Sequence, residues 1–278
     1  MVKLIILMFR SNLFSSLLLG GFIVCLVSCN RYKLPIKLAV KPISGSEFYN
    51  SIQGSDWKLR DSLVIENVLS GNIPKFYSYF TPIKSTWVNK QQQLIPITYY
   101  VAKDYLSVGT NEDFARVPIT PMAAQKIADS LHCFLPTPKM VDEIYEQSKI
   151  KLAPVPLYIY RDSTITMWQH HLIIEGQRKN KKGLISGIKK DVVLSNKVIL
   201  QGKNNRVAIY GWHQLNGKVI QPVYAGHVNW YVDYSHGIRL VYEKIKVNGH
   251  WMHYQDVLKD STLKGILTNE EGPVLLKY

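Results

Sequence analysis

The sequence predicts an α+β protein in which N-terminal helices pack on a mainly antiparallel C-terminal sheet. Helical patterns with clear N-terminal caps are concentrated before Gly183, whereas alternating apolar and polar residues with tight-turn signals follow it. The chain has 278 residues, and no internal repeat or low-complexity segment divides it. A single α+β domain is therefore expected over residues 46–278.

Capping residues predict where the helices begin. One helix is expected to begin after Asp56 and to end before Pro74, with apolar side chains on one stripe. Thr120 and Thr137 each precede a proline, which suits the first turn of a helix because its missing N–H needs no partner there. A further helix is predicted in STITMWQHHLIIEGQR, ending near Gly183.

Strands are predicted from period-two patterns and turn residues. The segment QLIPITYYVAKDYLSVG suits two short strands between the first helix and the next pair. Beyond Gly183, two segments read as hairpins, with Asn216-Gly217 and Asn248-Gly249 at their turns. These dipeptides tolerate the positive φ angles that tight hairpins require.

The N-terminus predicts export. Lys3 and Arg10 flank an apolar run that has the composition of a signal peptide over residues 1–28. The four residues Leu26-Val27-Ser28-Cys29 resemble the lipobox of bacterial lipoproteins, which implies that Cys29 becomes a lipidated N-terminus. The alternative is an uncleaved transmembrane anchor, since the apolar run is near the length that spans a bilayer. Residues 29–45 are expected to form a tether.

Charge and cysteine content limit the classes of binding partner and the kinds of covalent cross-link that the sequence predicts. Lys3 and Arg10 are the only charged residues in the signal, so its removal lowers the formal net charge from +14 to +12. A basic exported body is attracted to membranes and anionic envelope polymers, and no nucleic-acid-binding motif accompanies the charge. Cys133 is the only cysteine after Cys29, so no disulfide framework is expected. The predicted location is the bacterial cell envelope, anchored by lipid to a membrane.

Candidate site residues are concentrated in GHVNWYVDYSHGIRLV, residues 226–241. If this stretch is a strand, alternation separates its side chains into two faces. One face would hold His227, Asn229, Tyr231, Asp233 and Ser235. His213, at the end of the preceding strand, and His236, beside a possible bulge at Gly237, are expected to join this neighbourhood.

Two mechanisms would use these histidines in different ways. A zinc site with an open position for water would take His213, His227, Asp233 and His236 as ligands. A serine mechanism would use Ser235 as the nucleophile, with His227 or His213 as its base and Asp233 as the orienting group.

A third mechanism is metal-free acid–base catalysis by a histidine and an aspartate, with Arg239 holding an anionic group. Trp230 and Tyr231 are further candidates for substrate binding. Lys190 and Asp191 could form a catalytic pair or an anion site at a strand start, or an ordinary charged strand edge. The structural alternative is that all these polar groups only hydrogen-bond neighbouring loops.

Two resemblances bear on this stretch. SHGIRL is similar to the Ser-His-Gly-Cys-hydrophobic-Arg signature of L,D-transpeptidases, but Gly237 is followed directly by Ile238 and the catalytic thiol is absent. The segments FARVPITPMAAQKIADSLHCFLPTPKMVDEIY, IKKDVVLSNK, RVAIYGWHQLNGKVIQP and HVNWYVDYSHGIRLV together resemble a family of exported bacterial proteins without an assigned activity. The broader resemblance implies a recurrent exported domain.

These observations favour a hydrolase-like site that acts on peptidoglycan or another cell-envelope polymer. The second hypothesis is a non-catalytic surface module that binds a glycan or a partner protein. Its binding side chains would be the aromatic residues Trp212, Trp230, Tyr231 and Tyr234.

Overall fold

A computed structural model describes residues 32–200, 202 and 205–278 of the chain. The predicted signal peptide and Cys29 lie outside the described residues. The α-helices of the described part are Gly45–Ser51 (α1), Trp57–Leu69 (α2), Pro121–Ser130 (α3), Pro138–Gln147 (α4), Thr164–Arg178 (α5), Asn196–Leu200 (α6) and Tyr254–Lys259 (α7). Short 3₁₀ turns cover Lys75–Ser78 and Lys264–Ile266.

The strands are mostly short. They are Thr81–Val88 (β1), Leu94–Val101 (β2), Ser107–Gly109 (β3), Phe114–Arg116 (β4), Cys133–Phe134 (β5), Ile150–Lys151 (β6), Ile185–Ser186 (β7), Lys190–Val192 (β8), Arg206–His213 (β9), Val219–Val228 (β10), His236–Gly237 (β11), Val241–Tyr242 (β12), Lys244–Val247 (β13) and His250–His253 (β14).

The predicted helix starts are confirmed. The side chains of Asp56, Thr120 and Thr137 accept hydrogen bonds from the backbone N–H three residues later, and each has an extended backbone. This geometry satisfies a donor that the first helical turn leaves without a partner. The helix predicted over STITMWQHHLIIEGQR is confirmed as α5, and it ends at Arg178, ahead of Gly183, because Lys179 adopts a left-handed conformation with φ of 48°.

The α+β prediction is confirmed, with a mainly antiparallel arrangement of strands. One sheet has the order β14-β13-β2-β12-β5, with β1 paired to β2, and a second has the order β10-β9-β8-β11. The larger sheet combines strands from both halves of the chain. Parallel pairing occurs between β8 and β11 and between β6 and β7.

Both predicted hairpins form. In the β13–β14 turn, Asn248 and Gly249 have φ angles of 47° and 87°. In the β9–β10 turn, Gly217 has a φ angle of 88°. Positive φ at these positions matches the right-handed twist of the paired strands.

The expected tether is wrong for the residues that the structure describes. Tyr32 stacks on Tyr242 with ring centroids 3.7 Å apart, Leu34 is 1% exposed, and Lys33 forms an isolated antiparallel bridge with Tyr79. The apolar side chains in this segment have a core to contact, so the chain packs instead of standing free.

The described residues belong to one compact unit, Arg31–Tyr278, which begins before the predicted boundary at residue 46. The side chains of its main core lie between Leu34 and Leu267. A body of residues 32–278 therefore carries its whole core and is expected to fold by itself. Cys133 is a buried free thiol. None of the helices in the described part has the length and apolar character to cross a membrane.

Candidate active site

The predicted strand over residues 227–235 does not form as expected. Strand β10 ends at Val228, and the N–H of Tyr231 donates to the carbonyl of Val228 at 3.0 Å. A second turn follows, in which the N–H of His236 donates to the carbonyl of Asp233 at 3.1 Å. These two turns replace the alternation, and both Asp233 and Tyr234 are buried.

Asp233 is the centre of the polar cluster that the turns create. Its Oδ1 accepts from the backbone N–H of Ser235 at 2.8 Å and from the Ser235 hydroxyl at 2.5 Å. Its Oδ2 accepts from Arg161 Nη2 at 2.7 Å and from the Tyr231 hydroxyl at 3.5 Å. Residues from two separate parts of the chain therefore meet on one carboxylate.

The Asp233 carboxylate is held in its charged form. Burial favours the neutral acid, but the neighbouring His236 and Lys190 side chains and the hydrogen bonds from Ser235 lower the pKa of Asp233 below the ordinary value. Hydrogen bonds from donors stabilise a carboxylate directly. Asp233 is consequently an acceptor and an anion, and it is not a proton donor at neutral pH.

Ser235 is placed as a turn residue. Its side chain is fully buried and its hydroxyl donates to Asp233, which is two residues earlier. An aspartate that accepts from the N–H two residues on is a common local turn. The serine nucleophile considered above is therefore not supported by this geometry, because a polymer cannot approach the hydroxyl.

His236 lies beneath the surface beside Asp233. Its Nε2 is 3.8 Å from Asp233 Oδ1 and finds no hydrogen-bond partner among the described residues. Burial lowers the pKa of His236 to about 4, although the negative charge of Asp233 opposes the shift. The imidazole is consequently neutral at physiological pH.

His227 is the more accessible histidine of the cluster. It is partly exposed, with its ring centroid 4.6 Å from Tyr231 and 6.1 Å from His236. Burial lowers its pKa, the charge of Asp233 opposes this, and Lys190 adds to the lowering. His227 therefore combines a neutral imidazole with a face toward solvent.

Two consecutive lysines, Lys189 immediately before β8 and Lys190 at its start, reach the cluster. Lys190 pairs in register with His236, and its ammonium lies 4.5 Å from the centroid of the Trp212 ring. Burial lowers the pKa of Lys190. The neighbouring Lys189 is fully enclosed, donates to the carbonyl of Tyr234, and has a pKa lowered by burial to about 7. Lys190 therefore adds positive charge near Asp233.

Arg239 and Asp191 form a separate buried pair. Arg239 donates to the carbonyls of Ala102 at 2.8 Å and Ile185 at 2.9 Å, and its Nε lies 3.6 Å from Asp191 Oδ1. Its guanidinium covers the ring of Tyr105 at 4.3 Å. Burial raises the pKa of Asp191 to about 6. The expectation that Arg239 and Asp191 bind substrate is corrected, because both lie in the interior.

His213 is also apart from the cluster. Its Nε2 lies 3.0 Å from Asp142 Oδ1, and its ring stacks on Tyr145 with centroids 4.3 Å apart. Asp142 accepts a hydrogen bond from Tyr210 at 2.8 Å, beside a cleft of about 450 Å³ near the β9–β10 turn. His213 thereby joins α4 to β9.

The predicted zinc ligands are not assembled. His213 lies against Asp142, whereas the other three predicted ligands belong to the Asp233 cluster. Over residues 32–200, 202 and 205–278, no group of three or more His, Cys, Asp or Glu side chains is arranged to hold a metal ion. The Asp233 cluster itself offers histidines, a carboxylate and amines for chemistry.

The signature-like residues 235–239 have structural explanations. Ser235 completes a turn, Ile238 is core, and Arg239 binds interior carbonyls. Gly237 is required by a close approach, since a Cβ atom there would lie 2.6 Å from Tyr105 Cδ1. Packing and turn formation therefore explain the residues that resemble the L,D-transpeptidase signature.

Only some of the aromatic residues that the sequence suggested for a binding surface are exposed. Trp230 is 43% exposed and Tyr231 is partly exposed, but Trp212 and Tyr234 are buried. The larger exposed group was not predicted and lies in the loop that carries Arg161. Its members are Tyr158, Ile159 and Tyr160, which are 82%, 70% and 79% exposed. Neither this loop nor Arg161 carries a sequence signal that places it beside Asp233.

Comparison of the chain with protein-family models, curated proteins and solved structures finds no match.

Proposed function

We propose that the protein is an exported, lipid-anchored hydrolase of the bacterial cell envelope. Its substrate would be an ester or amide bond in peptidoglycan or another envelope polymer. The observation that carries this proposal is His227, a partly exposed imidazole with a lowered pKa beside a buried, charged Asp233. A general base must be neutral and accessible at the pH where it works.

In this proposal, His227 accepts a proton from a water molecule. The water oxygen forms a bond to the carbonyl carbon of the substrate, giving a negatively charged tetrahedral oxygen. The C–O or C–N bond then breaks, and the leaving group takes the proton back from the His227 imidazolium. Lys190 and Arg161 supply positive charge for the oxyanion, while Asp233 stabilises the imidazolium.

The state of Asp233 favours an acyl bond over a glycosidic bond. Glycoside hydrolysis ordinarily uses two carboxyl groups, one of which is protonated to assist the leaving group. Asp233 is bound to Arg161 and Ser235, and its pKa is lowered. It is consequently unsuited to the proton donation that a glycosidase requires.

The envelope location rests on the sequence. The signal-peptide pattern, the lipobox at Cys29 and the net charge of +12 after the signal all support an exported protein that works on an anionic surface. The cationic surroundings of His227 agree with an anionic polymer as substrate.

A second candidate is a non-catalytic module that binds a glycan or a partner protein. The exposed side chains of Tyr158, Tyr160 and Trp230 favour it. Aromatic faces bury a large area at low entropic cost, and exposed apolar patches commonly mark binding sites. This candidate requires no turnover.

Hydrolysis of purified peptidoglycan by residues 32–278 separates the two candidates. Chromatography of released fragments would compare wild type with His227→Gln and with His250→Gln, a matched change at an exposed hairpin turn. Loss of a general base predicts a rate at least about 100-fold lower for His227→Gln. His250→Gln should retain the wild-type rate.

Equal rates for the two variants would place the base elsewhere and reject the assigned role of His227. Binding of the polymer without any released product, together with weakened binding by Trp230→Ala, would establish the second candidate instead.

A further inference from the structure

A second polar site lies outside the Asp233 cluster, in a cleft of about 550 Å³. We call it the basic cleft, because four of its lining residues are Lys75, Lys103, Arg178 and Lys182. It opens beside the C-terminal end of α5. The run Arg178–Lys182 is the densest basic stretch of the sequence, and the proposed hydrolysis makes no use of it.

The charge of the basic cleft is only partly balanced. Asp104 also lines it, but Arg116 holds this carboxylate through Nε at 2.7 Å and Nη2 at 2.6 Å. Glu112 is the other acidic lining residue, whereas Lys75 and Lys182 are both exposed basic residues of the lining. Arg178 Nη2 binds Glu175 at 2.8 Å. An excess of positive charge therefore faces the opening and favours an anionic ligand.

One side of the basic cleft is aromatic. Phe76 and Tyr79 line it, and Phe76 packs edge-to-face on Phe114 with centroids 4.9 Å apart. Arg178 covers the same Phe114 ring at 5.2 Å. A ligand with an anionic group next to an apolar part would match this combination of walls. Phosphate attached to an acyl glycerol has that chemistry.

The start of the described chain is at this cleft. Lys33 pairs with Tyr79 and places its ammonium 5.8 Å from the centroid of the Tyr79 ring. The N–H of Phe80 donates to the carbonyl of Tyr32 at 2.8 Å. Cys29 precedes Tyr32 by three positions, and three residues extend at most about 11 Å. A lipid on Cys29 would consequently hold this face of the body close to the membrane surface.

We propose that the basic cleft binds the phosphate of an anionic membrane lipid next to the lipid anchor. Its orientation rests on the predicted lipidation of Cys29, and it is independent of the chemistry assigned to His227. Basic side chains near an anionic leaflet would add a second attachment to that of the lipid anchor. The segment from Tyr32 to Ala39 contacts the body and makes this contact possible, because it leaves no long spacer between body and anchor.

Sedimentation with lipid vesicles tests the cleft directly. Residues 32–278 would be mixed with vesicles of phosphatidylcholine alone or with about one-third phosphatidylglycerol. The double variant Lys75→Gln/Lys182→Gln removes two charges from the basic cleft. Its matched control, Lys90→Gln/Lys218→Gln, removes two charges from exposed turns elsewhere. All four lysines are exposed, so both variants are expected to fold.

The proposal predicts binding only to the vesicles that contain phosphatidylglycerol. Binding by the cleft variant should be about tenfold weaker, against less than about threefold for the control. Equal loss in both variants would mean diffuse attraction by net charge and would overturn the proposal. Absence of binding to the anionic vesicles would do the same.

Further measurements identify the source of the ligand and test the assumptions of the proposal one by one. Competition by soluble glycerol phosphate at about the lipid concentration would indicate a site for a free phosphate ester instead of a membrane lipid. Loss of peptidoglycan binding alone in the cleft variant would assign the cleft to the polymer. His227→Gln should leave vesicle binding unchanged, and fatty-acid labelling of the full chain, compared with Cys29→Ala, tests lipidation separately.

Discussion

The described part of the chain contains two histidine–aspartate pairs that differ in the exposure of the aspartate. In the Asp233 cluster, the side chains of Asp233 and His236 are each 1% exposed, while His227 reaches the surface above them. In the other pair, the imidazole of His213 is 4% exposed and the carboxylate of Asp142 is 46% exposed. The aspartate is therefore enclosed in the first pair and open to solvent in the second.

This difference in exposure distinguishes the proposed catalytic site from a packing contact. A catalytic imidazole needs a free face toward substrate and a fixed carboxylate behind it. His227 is partly exposed and lies in the same cluster as the buried Asp233, whose charge acts on it. His213 instead stacks under Tyr145, and its carboxylate partner is the group that solvent can reach. Residue type and proximity alone do not distinguish the two pairs, whereas burial does.

Replacing each aspartate by asparagine should give the largest difference between the two regions. Asp233→Asn removes the charge that Arg161, Ser235 and the adjacent lysines face, and it should lower the free energy of unfolding by about 3–5 kcal/mol. Asp142→Asn changes a half-exposed carboxylate and should cost about 1 kcal/mol or less. Urea denaturation at pH 7 measures both.

Equal costs for the two aspartate variants would contradict the contrast in burial. If Asp233→Asn does not fold at all, Ser235→Ala provides the same comparison on a smaller scale. It removes one hydrogen bond to the buried carboxylate and should cost about 1 kcal/mol.

Acid should destabilise the Asp233 cluster. Burial lowers the pKa of His236 in the folded protein to about 4, from an ordinary value of 6.5. The unfolded chain therefore binds its proton first, and the stabilising contribution is complete above pH 6.5 and lost as pH falls through 4. The shift corresponds to about 3 kcal/mol at most.

The variant His236→Gln isolates this contribution. Other buried histidines such as His170, whose pKa burial lowers to about 2, act in the same direction and remain in the variant. The loss of stability between pH 6.5 and pH 4 should therefore be smaller in His236→Gln than in wild type. Identical pH dependence of the two proteins in urea denaturation would contradict the assigned environment of His236.

Local signals in the sequence predicted the scaffold. Asp56, Thr120 and Thr137 cap helices, and two Asn-Gly pairs form hairpin turns, because these conformations depend on neighbours within a few residues. The prediction of a continuous strand with one polar face over residues 227–235 was wrong. The turn at Asn229 and Trp230 contains neither Gly nor Pro, and Asn229 is its one turn-favouring residue within an alternating run.

The candidate site also depends on partners distant in sequence. Arg161 binds a carboxylate 72 residues away, and its segment shows no pattern that places it there. Arg239 has a polar sequence context but an interior position, because backbone carbonyls of Ala102 and Ile185 converge on it. Contacts of this kind are set by the packing of several elements and are not readable from one segment.

The pH dependence of hydrolysis tests the central assignment most directly. The acid limb of kcat/KM reports the pKa of the essential base in the free enzyme, and NMR titration reports the pKa of the His227 imidazole independently. The account predicts that the two coincide, below the ordinary histidine value, and that His227→Gln loses turnover while His213→Gln keeps it. An acid limb displaced from the His227 titration, or full turnover by His227→Gln, would contradict the account.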